Sequence, residues 1–327
     1  MRVKWDRKAR FIQKVACKKY FKRIPNSFDA QAEPKDTIRE DGVRLITEIP
    51  YATKYPNSFL DVYVPRTDLA QQWGEKGTPV FVYFHGGGFL FGHKRLGDPL
   101  TKEPSGLHAW LNSFLDRGIA VVSGAYAFAP DYRFPVQIEQ VDQVLSYVIA
   151  HGREYGFDTE RILLGGGSAG ADMTEVYGMY LSDTDYASHF PFTSTVPREN
   201  IKGLIIDEAA LCFNTFREKA MDTMLGSWVG EEDFLHGPNS ILCDVPEHIK
   251  DRYIPSFVTG STNDHYFVQS ALKLKAVLDD AGIYCEIYYP PIYMGAFGHG
   301  FLEEMNTPAA IEGNRKLMKF VDKVLAE

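Results

Sequence analysis

The chain has 327 residues, 45% of them hydrophobic and 24% charged, which suits one large α/β domain or two small ones with a sizeable core. Its net charge of −8 removes a general case for a nucleic-acid partner. Four scattered cysteines (Cys17, Cys212, Cys243 and Cys285) form no Cys-x-x-Cys, the N-terminus lacks the apolar core of a signal peptide, and no stretch has the apolar length of a membrane span, so a cytoplasmic location is expected.

The charge is uneven. Residues 1–23 hold ten Lys/Arg against one acid, Asp6, a net +9 that leaves −17 for the remainder. Apolar residues recur there at Trp5, Ala9, Ile12, Ala16 and Tyr20, with Phe11 and Val15 alongside. This spacing predicts a helix packed on the body of the protein with its cations in water, and membrane-surface contact by the basic face is the secondary expectation. The polar, proline-bearing stretch Pro25 to Asp36 reads as a linker.

Val43–Ile49 and the alternating Ser58–Val64 read as strands. Pro79–Phe84 is a continuous apolar run, as expected of a strand buried on both faces, and it ends in His85-Gly86-Gly87-Gly88-Phe89. A helix over Leu107–Arg117, a strand over Ile119–Ser123 and a helix over Val136–Ala150 follow. Ile162–Leu164 is then a strand that runs through three glycines into Ser168 and a helix reaching about Leu181. Ile201–Ile206, Ile254–Gly260 and Ile283–Tyr289 are further strands, with helices over Phe267–Ala281 and Pro308 to about Leu325. Residues 214–250 have no clean period and read as an excursion from the sheet. Strands alternating with helices predict a mostly parallel central sheet with helices on both faces, with the chemistry at the carboxyl ends of the strands.

Gly166-Gly167-Ser168-Ala169-Gly170 fits Gly-x-Ser-x-Gly, in which a strained turn frees the serine hydroxyl. The same stretch carries Gly165-x-Gly167-x-x-Gly170, a dinucleotide fingerprint that requires an acid about 20 residues on at a strand end. Asp183 and Asp185 have the distance but not that context. Serine needs a base, and a histidine base needs a carboxylate to orient it, in the chain order Ser, acid, His. Ser168, Asp264 and His299 have that order, and each follows a predicted strand. Asp244 and Asp251 are reserve acids that precede their strand. The oxyanion donors are expected from the backbone of Gly86, Gly87 and Ala169.

These motifs, with Gly92 and the segment Tyr126 to Val141, resemble the hormone-sensitive-lipase-like carboxylesterase branch of the α/β-hydrolase superfamily over roughly residues 43–325. The resemblance implies hydrolysis of a small-molecule acyl ester through an acyl-enzyme, with no cofactor and no metal. It also implies a cap made from residues 1–40 and an insertion at about 210–250 within a hydrolase domain of residues 41–327. Phe213, Phe216, Trp228 and Phe234 would then line the substrate pocket. Amide or peptide hydrolysis on the same residues, and non-catalytic binding on the same fold, are the alternatives, and a homodimer is compatible with the fold. The chain departs from the family's usual pattern at Gly167, where an acid is common, and at Ala171, where glycine is common.

Overall fold

The computed structural model describes residues 3–94, 106–210, 219–263 and 265–326. In chain order the elements are α1 (Asp6–Ala16), which passes into a π turn over Cys17–Phe21; β1 (Asp36–Ile38), β2 (Arg44–Pro50), β3 (Phe59–Val64), α2 (Thr67–Ala70), β4 (Thr78–Phe84), α3 (Gly106–Leu115), β5 (Ala120–Gly124), α4 (Val136–His151), β6 (Phe157–Gly167), α5 (Ala169–Ser182), α6 (Thr184–Ala187), β7 (Ile201–Asp207), α7 (Lys219–Val229), α8 (Pro238–Cys243), β8 (Ser256–Thr259), α9 (His265–Asp280), β9 (Cys285–Tyr288) and α10 (Pro308–Ala326).

The strands form one sheet in the order β1-β2-β3-β5-β4-β6-β7-β8-β9. The first three pairings are antiparallel, and the block from β5 to β9 is parallel. The predicted fold class is therefore the observed one. Strand β4 shows why the apolar runs place the sheet centrally: all seven of its residues are buried. Val80, Val82 and Phe84 enter the core on one face, and Phe81 and Tyr83 the core on the other. That is the two-residue period of a pleated strand covered on both sides. On the second face Phe81 stacks on Phe114 of α3 with ring centroids 4.3 Å apart.

Two segments differ from expectation. The predicted linker runs into β1, which begins at its last residue, Asp36, and it is tied down: Asn26 exchanges hydrogen bonds with the backbone of Phe128, and the N–H of Asn57 donates to the carbonyl of Ser27. The aperiodic excursion contains α7 and α8. Helix α7 is buried on several sides, with Thr223, Leu225, Ser227, Trp228 and Val229 all inaccessible, so it has no polar face to give a period.

Helix α1 packs on α7. Its inward residues are Asp6, Ala9, Gln13 and Ala16. The Asp6 carboxylate receives two hydrogen bonds from Arg133, both 2.8 Å, and Arg133 also donates to the carbonyl of Ser227 in α7. Predicted packing positions Phe11, Val15 and Tyr20 instead face outward. Among the described residues no helix is long and apolar enough to cross a membrane.

A second buried ionic group lies near β2 and β3. Lys94 Nζ is 2.8 Å from Glu48 Oε1 and 2.7 Å from Asp61 Oδ1, and all three side chains are inaccessible. It fastens the chain just downstream of the His85–Gly88 loop to the antiparallel side of the sheet.

Candidate active site

Strand β6 ends at Gly167, and Ser168 takes φ 53° and ψ −118° before α5 begins at Ala169. A non-glycine residue in this region is strained, and strain of this kind is kept where the surroundings over-determine it. Here the surroundings are sterically explicit. A Cβ on Gly166 would lie 2.5 Å from Phe84 O, and one on Gly170 would lie 2.0 Å from the same oxygen. The Ser168 N–H donates to Asp207 O at 2.8 Å, and Asp172 N donates to Ser168 O at 3.0 Å. The serine is thus held between β7 and its own helix. Ala169 is the first residue of α5, where backbone N–H groups have no intrahelical acceptor.

The loop after β4 approaches from the other side. A Cβ on Gly86 would be 3.0 Å from Gly167 O and 3.2 Å from Ser168 Cβ, a fit tight enough that these neighbours would have to shift to admit one. Gly87 and Gly88 have φ of 116° and 57°, and Phe89 follows at 63°. His85 supports the loop from behind. Its ring stacks on Tyr126 at 4.5 Å, and Tyr126 donates to the His85 carbonyl at 2.7 Å. Burial lowers the His85 pKa to about 4, so the ring is neutral at physiological pH.

A cavity of about 460 Å³ is lined by Gly86, Gly87, Ser168, Glu208 and His299, together with apolar residues that include Met224 and Phe267. His299 stacks on Phe267 of α9 at 4.2 Å. Its Nδ1 is 3.2 Å from Glu208 Oε2, and the Gly300 N–H donates to the same oxygen. Glu208 directly follows β7, is buried, and has φ 58°. Asp264 lies outside the described residues, as do Phe213 and Phe216. Of the reserve acids, Asp244 is buried 3.6 Å from Lys273 and Asp251 is exposed, and neither lines the cavity.

Asp207 and Glu303 line the same cavity as Ser168, and Asp172 lies one turn along α5 from it. Burial, reinforced by Glu208, raises the pKa of Asp207 well above the carboxylate range; Thr259 donates to it. Glu303 is raised to about 7 by burial, with His299 opposing and Glu208 adding to the rise. Asp172 in α5 is also raised to about 7 by burial, against a hydrogen bond from Ala210 N at 2.6 Å. Gly167, where the family's common pattern has an acid, is open. A Cβ there would be 3.7 Å from Asp207 Oδ2 and 3.8 Å from Glu303 Oε1.

Two expected pocket residues are elsewhere. Trp228 is fully buried, stacks on Phe89 at 3.8 Å with rings 4° apart, and donates to Gln137. Phe234 is buried against Trp5 at 5.5 Å. Both are core aromatics between α7 and its neighbours, and the cavity takes Met221 and Met224 from the same segment instead. A Cβ on Gly88 would be 2.1 Å from Met224 Sδ, so α7 sits directly on the glycine loop. The acid of the dinucleotide reading is also displaced: Asp183 follows α5 and caps α6 by accepting from Tyr186 N. The sequence reasoning missed Glu208 and Glu303. Glu208 carried a usable signal, since it follows a strand and lies between Ser168 and His299 in order.

A left-handed serine between a central parallel strand and a helix, faced by a glycine loop, defines the α/β-hydrolase fold. Residues 60–282 match the BD-FAE family, and the chain belongs to that family. It is 34% identical over 106 residues to Esterase LipI of Mycobacterium tuberculosis, covering 32% of this chain and 30% of that protein. It is 25% identical over 197 residues to an esterase of Gibberella moniliformis, covering 58% of each. The chain therefore spans less than two thirds of the length of these curated relatives. Esterase B of Lactobacillus rhamnosis superposes with TM-score 0.71 at 20% identity, covering 89% of each chain. The carboxylesterase EstE1, from a metagenomic library, superposes with TM-score 0.61 at 18% identity, covering 98% of this chain and 94% of that one.

Proposed function

We propose that the protein is a serine carboxylic-ester hydrolase acting on short- to medium-chain acyl esters through an acyl-enzyme. The observation that carries this reading is one cavity bordered by Ser168, Gly86, Gly87 and His299. Ser168 Oγ attacks the ester carbonyl carbon while His299 takes its proton. The new oxyanion is held by the N–H groups of Gly86, Gly87 and Ala169, each worth about 10²–10³ in rate. Collapse breaks the ester C–O bond, and His299 returns the proton to the departing alcohol. A water molecule, deprotonated by His299, then splits the acyl-enzyme, releasing the acid and restoring Ser168.

Glu208 on Nδ1 supports the imidazolium that forms in both halves of the cycle, and Asp264 is the second candidate for that duty. Helix α1 and the α7–α8 segment act as the cap. The modest cavity, floored by Met221 and Met224, favours short and medium acyl chains. The chain is also 32% identical over 126 residues to human Arylacetamide deacetylase-like 2, so amides belong among the substrates tried. The test is a panel of nitrophenyl esters from acetate to decanoate, with matched anilides, on wild type and Ser168→Ala. Ester turnover that Ser168→Ala abolishes is expected; equal rates in the two proteins would end the proposal.

A further inference from the structure

The outward face of α1 combines two features that a merely packed helix does not need. At its centre stand Phe11 and Val15, one turn apart and 69% and 41% exposed, with Tyr20 at 57% beyond them on the π turn. Around them project Arg7, Lys8, Lys14, Lys18 and Lys22, all exposed. Among the described residues none of these five is in an ion pair; the one pairing cation on this face is Arg10, with Asp131 at 2.8 Å. Residues 1–23 carry +9 on a chain whose remainder carries −17, so positive charge is concentrated in the segment that bears this face.

We propose that this face docks the protein on a bilayer rich in anionic phospholipid. Lysine and arginine supply attraction to the headgroups, and the aromatic and aliphatic centre enters the boundary with the acyl chains. A polyanion such as nucleic acid would use the cations but leave Phe11 and Val15 without a role. The helix does not need to leave the body to do this, because Asp6, Ala9, Gln13 and Ala16 face inward and the Asp6–Arg133 pair holds it in place. Docking would also set the cavity beside the lipid. Phe21, which ends the π turn, stacks at 6.0 Å on Phe91, a residue of the cavity wall. The inference concerns binding and does not depend on the esterase reading.

The experiment is flotation of the full chain with phosphatidylcholine vesicles, with and without about one third phosphatidylserine. Binding to the anionic vesicles is expected, with loss at about 0.5 M salt, where charges are screened within a few ångströms. Each basic residue near such a surface adds roughly fivefold to partitioning, so Lys14→Glu/Lys18→Glu should lower it by about tenfold or more. Phe11→Ser should lower it severalfold with no change of charge. Lys316→Glu, at an exposed position of α10, is a charge reversal away from this face and should keep most of the binding. All three variants should hydrolyse a soluble ester like wild type. Failure to float with anionic vesicles at low salt, an equal loss in Lys316→Glu, or binding to heparin that Phe11→Ser leaves intact while vesicles are ignored would each overturn the proposal.

Discussion

His299 Nδ1 lies 3.2 Å from Oε2 of Glu208, a carboxylate that is almost wholly buried and also accepts from the Gly300 N–H. Glu208 therefore fixes both the imidazole ring and the backbone that carries it. Replacing it with glutamine keeps the shape but removes the charge that, on the proposed mechanism, stabilises the imidazolium. Glu208→Gln should lower kcat by about 10² or more with little change in KM, since this interaction strengthens only as charge develops. Steady-state kinetics beside Asp264→Asn would rank the two acids. A loss of twofold or less in Glu208→Gln would reduce its role to holding the loop.

The open space at Gly167 makes a sharp contrast between two substitutions. Gly167→Ala adds a methyl whose nearest neighbour is Tyr83 Oη at 3.6 Å, so stability should change by about 1 kcal/mol or less. Gly167→Asp adds a carboxyl beside Asp207 and Glu303. The three carboxyls compete for ionisation in one partly buried cluster, which raises the pKa of the new one, so the penalty should grow with pH, by roughly 1–3 kcal/mol between pH 5 and pH 8. Urea unfolding at the two pH values measures it. A pH-independent cost would mean that the new carboxylate escapes to solvent.

Asp172 has its pKa raised by burial from an ordinary 3.8 to about 7. Below pH 4 both folded and unfolded states hold its proton, and nothing is lost. Between about 4 and 7 the unfolded chain releases the proton while the folded one keeps it, so stability falls as pH rises through that window. Asp172→Asn keeps an acceptor for Ala210 N and removes the titration. Relative to wild type it should gain roughly 2–3 kcal/mol between pH 5 and pH 8. A constant difference across that range would count against the assignment.

Lys94 is buried between two carboxylates at 2.8 and 2.7 Å. Lys94→Met would remove a buried cation from beside Glu48 and Asp61, at a cost of about 3–5 kcal/mol. A fall in Tm and in the urea midpoint is expected. Unchanged stability would mean that the two acids simply take up protons.

The parts legible in the sequence were those whose cause is local. The glycines flanking Ser168 are demanded by contacts of 2.0 to 2.5 Å, and the apolar run of β4 follows from burial on both faces. What was hidden depended on distant packing. Strand β1 is an exposed edge strand of three residues with no apolar run to announce it. Helix α7 lost its period because it is surrounded. Trp228 read as a pocket aromatic because its partner, Phe89, lies 139 positions away in the chain. The contact between Glu208 and His299 required knowing that the loop ahead of α10 folds back over the end of β7.

The stack of Trp228 on Phe89, with Met224 pressed on Gly88, bears on how this protein can be recombined with its relatives. The helix and the glycine loop form one interlocked piece, although more than a hundred residues separate them. Chimeras that import a foreign α7 without its matching loop should lose turnover through a displaced backbone, even when every reacting side chain is retained. Transplanting both together, with Phe89 and Trp228 kept as a pair, is the exchange that should preserve activity while altering selectivity.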